Sequence, residues 1–223
     1  MKNTTPLKIL IHIFLASAGL FLFGFGTYLT IQANIGAAPW DAFNLGLSGT
    51  FGIKYGTASI TVSFLVLLID ILLKEKIGIG MILDAVIVGK TVDLFNYFDP
   101  VKLPETIIGS ILIIIIALFI CGFAQYLYMT AALGCGPRDT LLVGLSRKLP
   151  KIPIGLISIC ELAIVTAAGW ALGGKIGLGT IICAFFTGPI MQFVFRLVHF
   201  NPTETEHQSF RDSFRILLKR QNT

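Results

Sequence analysis

Two acids stand in a pattern that occurs twice, Gly-x-x-Pro-x-Asp. It reads Gly36-Ala37-Ala38-Pro39-Trp40-Asp41 and again Gly134-Cys135-Gly136-Pro137-Arg138-Asp139. Pro suits the first position of a helix, and an acid in the first turn complements the helix dipole. Each copy therefore has a plain reading as a helix start. The functional reading is a binding site, because a helix that begins inside a membrane leaves backbone N–H groups for a ligand or ion. Between Pro and Asp the copies differ. Arg138 can pair with Asp139 or grip an anionic group bidentately. Trp40 reads first as an interfacial anchor and second as a lid over a ligand. Asn44, near the start of the same segment, is a weaker candidate contact, as are Gln32, Asn34 and Gln125; such amides usually bond helix to helix.

A second set of charges lies inside apolar runs: Asp84, Lys90 and Asp93 in one, Glu161 in another. A charge at membrane depth costs about 2.5–3.5 kcal/mol on insertion scales, so such residues face a bundle interior or an aqueous cavity. Lys90 and Asp93 are three apart and can pair on one helical face. The alternatives are a buried structural pair, or Asp93 reaching toward the interface. Glu161 has no partner in the sequence and is the leading candidate for a proton-coupling carboxylate. No catalytic apparatus accompanies these groups. There is no nucleophile elbow, zinc motif, phosphate loop or dinucleotide fingerprint. His12, His199 and His207 stand far apart, and Cys121, Cys135, Cys160 and Cys183 show no metal or CxxC spacing. Neither an enzyme nor a metal, cofactor or disulfide framework is expected.

The elements that position these residues belong in lipid. Of 223 residues, 55% are hydrophobic and 13% charged, and the mean hydropathy is +0.84. A soluble domain carries roughly 25% charged residues. Apolar runs fall at about 9–33, 56–73, 78–97, 106–132, 153–172 and 177–199, each close to the ~20 residues that cross a bilayer. The first run is too long for a signal-peptide core and reads as a retained helix. Two shorter segments, about 39–50 and 137–148, begin at the repeated motif and are too short to cross comfortably.

The motif is part of a longer repeat. Ala33–Ser48 matches Ala131–Ser146 with seven identities in sixteen positions. One residue of slack then brings Lys76-Ile77-Gly78-Ile79-Gly80 onto Lys175-Ile176-Gly177-Leu178-Gly179, with Gly56/Gly155 and Gly89/Gly188 also paired. Cys183, Pro189 and Gln192 stand where the first copy has Asp84, Lys90 and Asp93, so those charges belong to one copy. The expected architecture is an all-α membrane protein of two tandem repeats, 1–103 and 104–200, followed by a tail, 201–223. If the short helices do not cross, each copy has three crossings and the second is inverted, giving six transmembrane helices and two broken or re-entrant ones. The alternative is eight crossings and parallel copies. Lys74, Lys76 and the Arg138–Lys151 cluster favour six, with both termini cytoplasmic.

In the tail, Thr203-Glu204-Thr205-Glu206 can form a capping box. Phe210, Phe214, Leu217 and Leu218 then share a face flanked by Arg211, Arg215, Lys219 and Arg220. That pattern predicts an amphipathic helix on anionic lipid. The basic clusters adjoin apolar runs, and nucleic acid is not an expected partner.

The Gly-x-x-Pro-x-Asp motif, followed by Lys-Ile-Gly-x-Gly in both copies, resembles the YczE/YyaS/YitT family of bacterial integral membrane proteins. The matching stretches are Ala33–Ser48, Lys76–Gly89, Ala131–Ser146 and Lys175–Gly188. The resemblance implies a bacterial inner or plasma membrane location and this architecture more than an activity. The expected function is a transporter of an unknown small molecule or ion, with its site between the copies at Asp41, Asp139, Arg138, Trp40 and Asn44, and coupling at Glu161, Lys90, Asp93 or Asp84. The alternative is a non-transporting scaffold or regulator of another membrane or secretion system.

Overall fold

The computed structural model describes residues 6–134 and 136–200; the 201–223 tail, with its expected capping box and lipid-facing helix, lies outside them. Eight helices run in order: α1 Pro6–Gln32, α2 Pro39–Phe51, α3 Tyr55–Leu72, α4 Ile79–Phe98, α5 Ile107–Thr130, α6 Pro137–Lys148, α7 Ile154–Ala171 and α8 Leu178–Leu197. Among the described residues there is no strand. In lipid a helix satisfies its backbone internally, which is why each apolar run becomes one. By length and composition α3, α5, α7, α8 and α1 from Ile9 onward can cross a bilayer. α4 has 20 residues but carries Asp84, Lys90 and Asp93. α2, with 13 residues, and α6, with 12, are short of a span.

The interior mixes small and polar residues with apolar ones such as Leu20, Met81 and Ile114, and many other large apolar side chains point outward. α1 packs along α5 at two glycines: a Cβ on Gly19 would lie 2.8 Å from Tyr128 N, and one on Gly26 would strike Cys121 Sγ. Such residues let helix backbones approach where lipid offers no hydrophobic drive. α4 packs on α1 and α8 on α5, while α2 lies between α3 and α7, and α6 lies on α3 and α7. Thr27, Thr30, Ser59, Ser63, Thr91 and Ser110 are buried, whereas Leu68, Leu72, Ile108, Ile116, Ile164 and Phe185 are exposed. That is the inverse of a soluble protein and suits a lipid surround.

The two loops that precede the short helices share one backbone path. Asn34 and Ala132 have φ of 57° and 55°, and Gly36 and Gly134 have φ of 112° and 116°. The last two values need glycine. Each loop then bonds to the start of a helix far along the chain. Gly179 N–H donates to Ile35 O at 2.8 Å, and Gly80 N–H donates to Leu133 O at 2.9 Å. The Lys-Ile-Gly-x-Gly motif supplies the room: a Cβ on Gly177 would sit 2.5 Å from Ile35 O, and one on Gly78 would overlap Leu133 O.

Side chains also tie helix ends together. Gln32 Nε2 at the end of α1 donates to Asp99 Oδ1 just past α4 at 2.9 Å. Arg147 near the end of α6 pairs with Glu75 just past α3, also at 2.9 Å. Lys175 Nζ donates to Asn34 Oδ1 at 2.9 Å.

Candidate functional site

The short helices bring both motif acids to one cavity. α2 begins at Pro39 after Ala38, and α6 at Pro137 after Gly136; neither preceding residue provides a side-chain cap. The first turns carry Asp41 and Asp139. Arg138 reaches from α6 to Asp41, with Nη1 3.9 Å from Oδ1. Its guanidinium carbon stands 5.0 Å from the centre of the Trp40 ring, a cation–π distance. The position that differs between the motifs thus joins them across the molecule. Arg138 takes Asp41 rather than its neighbour Asp139. Trp40, read first as an interfacial anchor, lines the cavity against Arg138.

The rest of the wall comes from every long helix. A cavity of about 440 Å³ is lined by Asp41, Asp84, Arg138, Asp139 and Glu161, with Gln125, Ser59, Ser63 and Ser158 among its neutral polar groups. Apolar and aromatic contributions include Phe23, Trp40, Tyr128, Leu118 and Met191. The size is that of a small-molecule site. Asp41 is also hydrogen-bonded by Tyr55, whose hydroxyl donates to Oδ1 at 2.8 Å. Tyr128 does the same for Asp139 Oδ2 at 3.3 Å. The Asp84 carboxylate abuts Gly136 at the start of α6: a Cβ there would lie 2.9 Å from its Oδ2.

Three of the expected residues stand elsewhere. Asn44 is fully buried behind the cavity and donates from Nδ2 to Tyr55 OH at 3.5 Å. Lys90 is exposed. Asp93 forms no ion pair with Lys90; its Oδ1 accepts from Gly56 N–H at 2.7 Å, at the start of α3. The geometry prefers a helix N-terminus, with several free N–H groups, to a solvated lysine. The structure also supplies residues that the sequence reading passes over: Tyr55, Tyr128, Ser59, Ser63 and Asp70. Ser59, Ser63 and Asp70 are spaced four and seven apart and share one face of α3, a pattern visible in the sequence.

The cavity walls differ on its two sides. α3 lies tightly on α4: a Cβ on Gly89 would lie 2.9 Å from Gly56 O, and one on Gly56 would overlap Gly89 O. The matching glycines on α7 and α8, Gly155 and Gly188, would meet nothing within 4 Å. α7 and α8 barely touch, and Ser158, Glu161, Cys183 and Thr187 line the space between them.

The family described as "Family of unknown function (DUF6198)" matches residues 10–196. The uncharacterized membrane protein YczE of Bacillus subtilis is 35% identical over 79% of this chain and 81% of its own length. An uncharacterized protein of Haemophilus influenzae is 27% identical over 80% of this chain and 81% of its length. The uncharacterized protein YyaS of Bacillus subtilis is 26% identical over 81% of this chain and 90% of its length. No solved structure matches.

Proposed function

This chain belongs to the DUF6198 family, a YczE/YyaS-type family of bacterial membrane proteins, and on that footing we propose that it is a transporter of a small molecule or ion. The observation that carries the proposal is a polar cavity walled from both sequence repeats, with Arg138 of one laid on Trp40 and Asp41 of the other. Holding four carboxylates and a guanidinium around an open space at membrane depth is costly for a multi-pass protein. A carrier needs such groups to replace the hydration of its solute. The wider link to YitT-type proteins rests on the motifs alone.

The proposed frame has six crossings and inverted halves, with α4 as the sixth span. Parity supports it. Gln32 after α1 bonds Asp99 after α4; the two ends share a face when two of α2, α3 and α4 cross, and oppose each other when all three do. Glu75 after α3 pairs with Arg147 at the end of α6; by the same count, one of α4, α5 and α6 fails to cross. The short α2 and α6 are the natural non-crossing members. Lys74, Lys76, Arg147, Lys148 and Lys151 then share the cytoplasmic face with both termini.

In this reading α3 and α4 are the closed gate of the cavity and α7 and α8 the open one. The opposite access state closes α7 on α8 through Gly155 and Gly188 and parts α3 from α4. Glu161, at the open side, is the coupling carboxylate.

The test is a solute library screened by thermal shift on the purified full-length protein, followed by uptake of the hits into proteoliposomes. The expected result is solute-dependent stabilisation and flux, both lost in Asp41→Asn with Asp139→Asn. Flux unchanged by that pair of substitutions removes the two acids from the mechanism. A library with no hit, together with a partner protein retained in mild detergent, turns the assignment to the scaffold or regulator alternative.

A further inference from the structure

Outside the cavity lining, one ionisable group stands out. Asp70 lies on α3, two residues before its end, with 0% of its surface exposed. Neither carboxylate oxygen has a hydrogen-bond partner among the described residues. Buried polar groups are almost always paired, and an unpaired carboxylate is among the costliest of them. Asp70 therefore does not brace the fold through its side chain as Asp93 does.

Its surroundings lead in two directions. Ser59 and Ser63, on the same face of α3, line the cavity and are themselves buried. Glu161 of α7, also on the cavity wall, is within electrostatic reach of Asp70. On the other side lies Glu75, likewise within electrostatic reach. Its N–H donates to the Asp70 carbonyl at 3.0 Å, and Arg147 of α6 holds its carboxylate at 2.9 Å. The remaining charges on the helices around α3 are engaged elsewhere. Asp41 of α2 is bound by Tyr55 and Arg138, and Asp93 by Gly56. Asp84 abuts Gly136, Asp139 of α6 is bound by Tyr128, and Lys90 and Lys148 are exposed to the surroundings. A metal ion would need several oxygen ligands, and the described residues hold no group of three acidic, His or Cys side chains that could bind one. The proton is the ligand that needs only one oxygen.

We propose that Asp70 is a buried proton-binding site set between Glu161 on the cavity wall and Glu75 at the face carrying Lys74 and Arg147. Binding turns the carboxylate into the neutral acid, and release to water restores the anion, so one proton and one charge are exchanged in each event. As the site of a coupling ion this rests on the transporter reading; as a proton site it does not.

The experiment treats the full-length protein in liposomes with dicyclohexylcarbodiimide, which adds to a protonated carboxyl in an apolar setting, and maps the label by peptide mass. The expected result is label on Asp70 that falls severalfold as pH rises. The fall should occur at lower pH in Glu161→Gln and in Glu75→Gln, because each removes a neighbouring negative charge. Asp70→Asn should lose the label from that peptide, and Asp70→Glu should restore it. Three outcomes overturn the proposal, given protein that remains monodisperse: no label at any pH, label independent of pH, or a profile that neither glutamine variant shifts from that of the unaltered protein. No solute enters this measurement. Failure of the solute screen with a coupled Asp70 profile rejects transport and keeps the proton site; solute flux with an unlabelled Asp70 does the reverse.

Discussion

The α3–α4 pair and the α7–α8 pair come from matching stretches of one repeated sequence, yet they pack differently. α3 buries nine of its residues, while α7 buries only Ile157 and Gly169. Gly56 and Gly89 bring the first pair into backbone contact, and Asp93 fastens it at Gly56 N–H. Gly155 and Gly188 retain the same residue type with nothing against them. Gln192 stands where Asp93 does. A glycine in a helix interior, as Gly188 is, costs about 1 kcal/mol relative to alanine, so an unpacked one needs a reason. The reason in the carrier reading is a second arrangement in which it is packed. The difference teaches that matching sequence sets which surfaces are able to meet, and that the conformation decides which of them do.

Substitutions can break that comparison. The largest effect is expected for Gly56→Ala against Gly155→Ala. The first forces a methyl onto the Gly89 carbonyl and should lose about 1–3 kcal/mol. The second meets open space and should stay within about 0.5 kcal/mol or gain slightly. Thermal unfolding in detergent measures both, and equal losses would erase the asymmetry. Next comes Asp93→Ala against Gln192→Ala. Asp93→Ala strips the acceptor from the start of α3 and should cost about 1–2 kcal/mol; Gln192→Ala should cost less than half of that. The smallest is Tyr55→Phe, which removes the hydrogen bond to Asp41 and the long one accepted from Asn44 and should cost about 0.5–1.5 kcal/mol, with solute affinity as the second readout.

One cross-link sharpens the comparison instead. Gly155→Cys with Gly188→Cys, in a background lacking native cysteines, should form a disulfide under mild oxidation if α7 closes on α8, and flux should stop until it is reduced. A pair that never cross-links while flux continues removes the closure.

Much of this was legible in the sequence, for identifiable reasons. Helices are the available answer for apolar runs in lipid, so α1 to α8 follow the runs closely. Pro39 and Pro137 mark the starts of α2 and α6 because the ring fits the first helical position. The repeated motif singles out Asp41 and Asp139, and both line the same cavity. Other features depend on tertiary contact. The glycines of Lys-Ile-Gly-x-Gly are visible as a motif, but the carbonyls of Ile35 and Leu133 that they admit lie far away in the chain. Lys90 and Asp93 have ideal spacing for a pair, and the start of α3 takes Asp93 first. Asp70, four residues before Lys74, is given no role by the sequence; only the fold around it makes it a buried charge. Arg138 reaches across to Asp41, a choice that local spacing favours in the other direction.

The two crossed backbone bonds, Gly80 to Leu133 and Gly179 to Ile35, bear on how the protein is made. During synthesis the amide of Gly80 emerges well before Leu133 exists, and the carbonyl of Ile35 waits longer still for Gly179. Helices α1 to α4 therefore enter the bilayer as an unfinished object, and completion is deferred until the last helix arrives. Two fragments cut between α4 and α5 and expressed together should reassemble, while either alone should be cleared by quality-control proteases.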